Sequence, residues 1–155
     1  MSDFEDERYT WRRAEEADIP SLRKIEESAY PFPWTNEAFR NELVKPYSNV
    51  AVVCDNTSDG SVAGYIVYWL LFDECHVLNV TVNTAARGQG LGLKMMREVI
   101  VEARRRQLKR LFLEVRVSNA AAIALYKKVG FYVDHTKAKF YEDGESAYFM
   151  ILYLT

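Results

Sequence analysis

The chain has 155 residues, 49% of them hydrophobic, which suits one domain with a substantial core. Its 20 Lys and Arg against 22 Asp and Glu leave a net charge of −2, which excludes a broad electrostatic case for nucleic acid. Two cysteines, Cys54 and Cys75, are too few for a disulfide framework or a metal cluster. No apolar run reaches transmembrane length, and the acidic start is no signal peptide, so a soluble, cytoplasmic protein is expected.

Residues 1–8 read as an acidic N-terminal tail and 9–155 as the domain. Tyr9 to Arg13 alternates like an edge strand. Asp18 is a candidate N-cap and Pro20 fits a first helical turn, after which Leu22, Ile25 and Ala29 form one apolar face. Pro31-Phe32-Pro33-Trp34 breaks that helix; Thr35 caps a short second one through Leu43, stopped by Pro46. Val50 to Cys54 and Val62 to Phe72 are strands about a turn-rich 55–60 segment, and Asp73-Glu74 turns into a strand from Cys75 to Val82. Arg87-Gly88-Gln89-Gly90-Leu91-Gly92 follows, then a helix with Leu91, Met95, Val99 and Ala103 on its apolar face. Arg104-Arg105-Arg106 with Lys109-Arg110 reads as cations offsetting a helix C-terminus rather than as a basic patch. A strand surrounds Glu114, Ser118 caps a helix closed by Lys127-Lys128 and Gly130, and Phe131 to Tyr141 and Ser146 to Leu154 end the chain as strands.

A strand that ends in alternating glycines and turns into a helix suits a phosphate. The backbone approaches closely where Cβ is missing, and free N–H groups meet the positive end of the helix dipole. A P-loop needs Lys-Ser or Lys-Thr where Leu93-Lys94-Met95 stands, and the dinucleotide fingerprint needs glycine where Leu93 stands. What remains is Arg-x-x-Gly-x-Gly, which resembles the pyrophosphate loop of the GNAT acetyltransferases. Leu113 to Tyr126 with Gly130-Phe131 resembles the closing half of that fold, and in particular the ribosomal-protein-alanine N-acetyltransferases, the RimI family. Phe32-Pro33-Trp34, Leu78-Asn79-Val80, and Tyr141 followed by Gly144-Glu145 agree with that family. Arg87 stands where the family often has Gln. The resemblance implies a single α/β domain with a mixed, mostly antiparallel twisted sheet flanked by about four helices. It implies acetyl-CoA as acetyl donor, held by Arg87, Gly88, Gln89, Gly90, Leu91, Gly92 and Leu93. By the same resemblance the backbone of Val80, Thr81 and Val82 pairs with the pantetheine arm, which Asn119 also contacts. These three strand residues read equally well as core, and Asn119 as a helix cap.

Acetyl transfer to an amine needs the amine neutral. An α-amine with pKa about 8 is roughly one tenth neutral at pH 7, so a modest base suffices, directly or through a water. Glu114 interrupts a strand of Leu, Phe and Val, where an unpaired carboxylate is costly. It is either the base or a residue on an open face or paired with Arg, and the resemblance favours the base. Tyr126, by resemblance at the thioester, is the candidate donor to the leaving thiolate, although Ile123, Tyr126 and Val129 are also spaced like a core stripe. Cys54 and Cys75 lack an activating base and read as core; His76 and His135 read as satisfied or exposed strand residues. No constellation supports a metal.

By the resemblance, Phe32, Trp34 and Tyr141 flank a peptide groove, and the carboxylates of Glu26, Glu27 and Glu142 would draw in a basic peptide. The expected acceptor is a protein N-terminus, an alanine of a small-subunit ribosomal protein, with no direct nucleic acid or membrane partner and a monomeric enzyme. Transfer to lysine or a small-molecule amine is the alternative within the same chemistry. A non-catalytic acyl-CoA-binding regulatory module is the alternative outside it.

Overall fold

The computed structural model describes residues 2–4 and 7–154. Of the expected acidic tail, Met1, Glu5 and Asp6 lie outside the described residues, whereas Phe4 is buried and stacks on Trp11 at 5.3 Å. Seven strands form one sheet: β1 (Tyr9–Arg13), β2 (Ser48–Asp55), β3 (Ser61–Leu71), β4 (Glu74–Val82), β5 (Arg110–Arg116), β6 (Tyr132–Lys137) and β7 (Ala147–Tyr153). Their order is β1-β2-β3-β4-β5-β7-β6, and every neighbouring pair is antiparallel except β4 and β5. Four helices complete the fold: α1 (Ile19–Ala29), α2 (Asn36–Val44), α3 (Leu91–Arg105) and α4 (Ala120–Lys128).

The period of two in the strands divides the core into two layers. Val50, Val52 and Cys54 of β2 pack with Tyr65 and Val67 against Leu22, Ile25 and Phe39 of α1 and α2. Ala51 and Val53 point the other way, into a larger cluster with Met95, Met96 and Val99 of α3 and Leu111, Leu113 and Met150. Both cysteines are buried and free; burial raises the Cys54 thiol and pushes Cys75 up to about 12, so neither offers a nucleophilic thiolate.

Three local expectations change. Asp18 makes no side-chain cap to α1; its carboxylate takes both arms of the Arg12 guanidinium at 2.8 Å and accepts from Glu15 N at 2.7 Å, one turn before the helix. Asn119, not Ser118, caps α4 by accepting from Ala122 N at 3.2 Å, while Ser118 N donates to Glu145. The strand expected to reach Tyr141 ends at Lys137, because Lys139 takes a left-handed φ of 52° and residues 138–146 form a loop. Thr35 does cap α2, accepting from Ala38 N at 3.0 Å.

One irregularity shapes everything that follows. Val67 of β3 pairs with Asn79 and Tyr68 with Val77, so Leu78 is an extra residue, a β-bulge in β4. The bulge reverses the facing of the strand: Cys75 and Val77 point into the α3 layer, but Asn79 and Thr81 point to the α1 side. Parallel pairing of β4 with β5 covers Glu74–Val77 against Arg110–Leu113 and stops there. Beyond the bulge the two strands part.

Candidate active site

The opening between β4 and β5 is a cleft of about 530 Å³. Its floor is Leu78–Val80 on one side and Glu114–Arg116 on the other, with Asn119 and Tyr126 of the α4 segment reaching it from behind. Its front is two lips: Phe32, Pro33 and Trp34 from the loop between α1 and α2, and Tyr141 and Glu142 from the loop between β6 and β7.

Along the open edge of β4, the carbonyl of Val80 accepts from Tyr30 Oη at 3.3 Å and that of Val82 from Arg87 Nε at 3.3 Å. Alternate residues of a strand turn their backbone groups to the same edge. Val80 and Val82 therefore present N–H and C=O toward the gap, and Thr81 turns to β3. The Thr81 hydroxyl, buried, donates to Asn79 at 2.7 Å and lies 2.9 Å from Tyr30 Oη.

The glycine segment divides by geometry. Gly88 and Gly90 have φ of 83° and 73°, left-handed values that L side chains rarely adopt, and a Cβ on either would meet no other protein atom within 4 Å. Gly92 lies inside the first turn of α3, where a Cβ would come within 3.1 Å of Leu125 Cδ2; it packs helix on helix. Leu91 is buried in the core, so only its backbone faces a ligand. The first bond of the helix runs from Lys94 N to Gly90 O, which leaves the N–H groups of Leu91, Gly92 and Leu93 at the positive end of a 15-residue helix. Such a terminus suits an anion such as phosphate. Gln89 accepts from the Tyr9 hydroxyl.

Glu114 projects from β5 onto the cleft floor, its side chain 11% exposed. Oε1 accepts from His76 Nε2 at 2.8 Å and Oε2 from Lys137 Nζ at 2.9 Å. Burial pushes its pKa up, but these two donors outweigh burial and hold it below the ordinary carboxylate value. The expected alternative of an Arg partner is thus replaced by a histidine and a lysine. Tyr126 is buried, and burial together with Tyr30 and Tyr141 raises its phenol, so it keeps its proton. Among the described residues no hydrogen bond engages its hydroxyl, and its side chain borders the cleft.

The lips are held from beneath. Glu26, 1% exposed, accepts from Tyr65 Oη at 2.6 Å and Asn79 Nδ2 at 2.8 Å on Oε1, and from Trp34 N at 2.9 Å on Oε2. Glu26 is therefore a buried anchor and not the solvent-facing carboxylate expected, and Glu27 pairs with Arg23 on the helix surface. Trp34 packs on Phe39, whereas Phe32 remains 51% exposed. Across the cleft Arg116 binds Asp143 and Glu145 at 2.9 and 2.8 Å and stacks under Tyr141, its Cζ 4.1 Å from the ring centre. Tyr30, Arg116, His76 and Lys137 were not among the expected site residues. Asn79 and Thr81 carried a legible signal, as polar residues inside an apolar strand.

Known proteins of the same shape narrow the chemistry. The [Ribosomal protein bS18]-alanine N-acetyltransferase of Escherichia coli (strain K12) is 36% identical over 117 residues, 76% of each chain. The enzyme of the same name from Haemophilus ducreyi is 32% identical over 143 residues, 90% of this chain and 96% of that one. The crystal structure of the ribosomal-protein-S18-alanine N-acetyltransferase from Escherichia coli superposes with a TM-score of 0.85 at 32% identity, covering 95% of this chain and 94% of that one. Ard1 from Thermoplasma volcanium superposes with a TM-score of 0.86 at 26% identity, covering 95% and 98%. Residues 19–131 match the Acetyltransferase (GNAT) family, and with these relatives the chain belongs to it.

Proposed function

We propose that the protein transfers acetyl from acetyl-CoA to the N-terminal α-amine of a protein, with the N-terminal alanine of a small-subunit ribosomal protein, bS18, as acceptor. The observation that carries this is the two-lipped cleft leading to Glu114 and Tyr126 at the parting of β4 and β5. The relatives named for bS18-alanine acetylation support the acceptor. A ribosomal acceptor sets the reaction in the cytoplasm, and no helix among the described residues is long and apolar enough to cross a membrane.

The N–H groups at the start of α3 and the turn at Gly88 to Gly90 receive the pyrophosphate, and the open edge of β4 at Val80 and Val82 lines the pantetheine arm. Asn119 borders the same channel while capping α4. Glu114 takes one proton from the acceptor ammonium, directly or through a water, and passes it to solvent. The freed amine attacks the thioester carbonyl, and β4 N–H groups stabilise the oxyanion. As the C–S bond breaks, Tyr126 donates its proton to sulfur, and the second nitrogen proton returns to the phenolate. The balance is an acetylated amine, free coenzyme A thiol and one released proton.

The test is labelled acetyl-CoA with Ala-starting peptides, free or blocked at the N-terminus. Label is expected on the free α-amine alone. Equal labelling of a blocked peptide that carries lysines would replace this reading by lysine or small-amine transfer. Binding of coenzyme A without any transfer would leave a regulatory module.

A further inference from the structure

Glu114 already holds an ammonium. Lys137 Nζ reaches Oε2 at 2.9 Å from β6, across β7, with its side chain 35% exposed. The reading of Glu114 as base, on which this inference rests, requires the acceptor's own ammonium to arrive at the same carboxylate. Oε1 is committed to His76, whose ring is stacked on Phe112 at 4.4 Å and set edge-on to Trp69 at 5.7 Å, a packing that leaves it little freedom to move aside. Lys137 differs. Its four-carbon stem is flexible, and Nζ already lies over two rings, 4.9 Å from the centre of Phe149 and 5.4 Å from that of Phe140. Those faces attract a cation without any carboxylate. Two ammonium groups on one half-buried carboxylate repel, so the arrival of the second favours departure of the first.

We propose that Lys137 is a placeholder, a positioning residue whose ammonium occupies Glu114 Oε2 until the acceptor's N-terminal ammonium takes that seat and Lys137 withdraws onto Phe140 and Phe149. Glu114 is thereby kept ionised and aimed at the cleft between turnovers. An acceptor whose N-terminus is blocked has nothing to exchange for Lys137, so the residue contributes to selection for charged amines over blocked N-termini.

Calorimetry and steady-state kinetics on Lys137→Met and Lys137→Arg test this, with one Ala-starting peptide offered free and N-acetylated. Removing the competitor should lower the Kd and KM of the free peptide roughly fivefold, the scale of one partly exposed ion pair, with kcat maintained. The blocked peptide should bind both proteins alike. Lys137→Arg, whose planar fork grips a carboxylate more persistently, should weaken the free peptide. Lys137→Gln repeats the measurement should methionine disturb the packing. A fall in kcat with unchanged affinity in Lys137→Met would mean that Lys137 only orients Glu114, and the placeholder would be overturned. Equal effects on free and blocked peptides would overturn it too. Glu114→Gln separates the two layers: full kcat in that variant removes the base reading, whereas peptide affinity in Lys137→Met judges the placeholder alone.

Discussion

Replacing Glu26 by glutamine exchanges one acceptor for a donor in a place where three donors converge. Oε1 accepts from Tyr65 and Asn79, and Oε2 from the backbone N–H of Trp34. The best orientation of the new amide keeps its oxygen toward Tyr65 and Asn79 and turns its NH₂ on the Trp34 N–H. One backbone donor then loses its partner, and two donors face each other at a residue 1% exposed. Leaving a buried donor unsatisfied costs about 1–3 kcal/mol, a noticeable part of the 5–15 kcal/mol typical of a domain. Tyr65→Phe removes a donor and leaves Glu26 with two, so its cost should be about 1 kcal/mol. The damage in Glu26→Gln is local to a lip: Arg23 still holds the Trp34 carbonyl at 2.5 Å, but the N-terminal side of Trp34 is released. Urea unfolding should therefore show Glu26→Gln less stable than Tyr65→Phe. Acceptor KM should rise several-fold in Glu26→Gln with acetyl-CoA KM unchanged. Wild-type stability together with wild-type acceptor KM would refute the anchoring argument.

Gly90→Ala should lose roughly 1–2 kcal/mol from its left-handed φ of 73°, and with it acetyl-CoA affinity. Gly92→Ala should be near neutral in stability, because about 1 kcal/mol of helix propensity offsets the 3.1 Å approach to the movable Leu125 side chain; equal losses in thermal melts of the two would contradict this division. Glu114→Gln should lower kcat and recover part of it as pH rises through the acceptor amine's pKa near 8, whereas Tyr126→Phe should lose about 10²-fold or more without recovery. The sign of the Glu114 shift adds a check in the wild type: its pKa is held below the ordinary carboxylate value, so the carboxylate stays charged throughout the neutral range. The profile of kcat/KM should then rise with the amine alone, and an extra acid limb between pH 6 and 7 would show that His76 and Lys137 do not hold Glu114 low.

The order of strands and helices was legible because period and punctuation are local: alternation in β1, Pro20 and Thr35 at helix starts, Gly130 after α4. The turn of left-handed glycines before α3, and the cleft that Glu114 and Tyr126 share, follow from the motifs around them. The bulge at Leu78 was not, because it exists only as a mismatch of register between β3 and β4. The partners of Glu114 escaped for a related reason. His76 and Lys137 stand 38 and 23 residues away, and only the strand order β4-β5-β7-β6 brings them to one carboxylate. Glu26 misled in the opposite direction. A glutamate on an amphipathic helix reads as solvent-facing until the strands beside it, β3 and β4, present Tyr65 and Asn79.

The single parallel pair explains why the site stands where it does. Two parallel strands finish at the same end of a sheet, so the chain leaving β4 and the chain leaving β5 emerge side by side. Each leads into a helix, α3 after β4 and α4 after β5, and both helices therefore bring their N-termini to that end. Antiparallel neighbours cannot do this, since their ends alternate. At the same end the bulge at Leu78 ends the β4–β5 pairing and opens a gap. Two unpaired strand edges and two helix N-termini thus converge on one cleft. The α3 terminus offers three free N–H groups to an anion, and the α4 segment delivers Tyr126 to the cleft that Glu114 of β5 also lines. Ligands of α/β sheets bind beyond the carboxyl ends of strands for this reason. In this chain one parallel pair in an otherwise antiparallel sheet is enough to bring the α3 N-terminus, the open edge of β4 and the two catalytic candidates together.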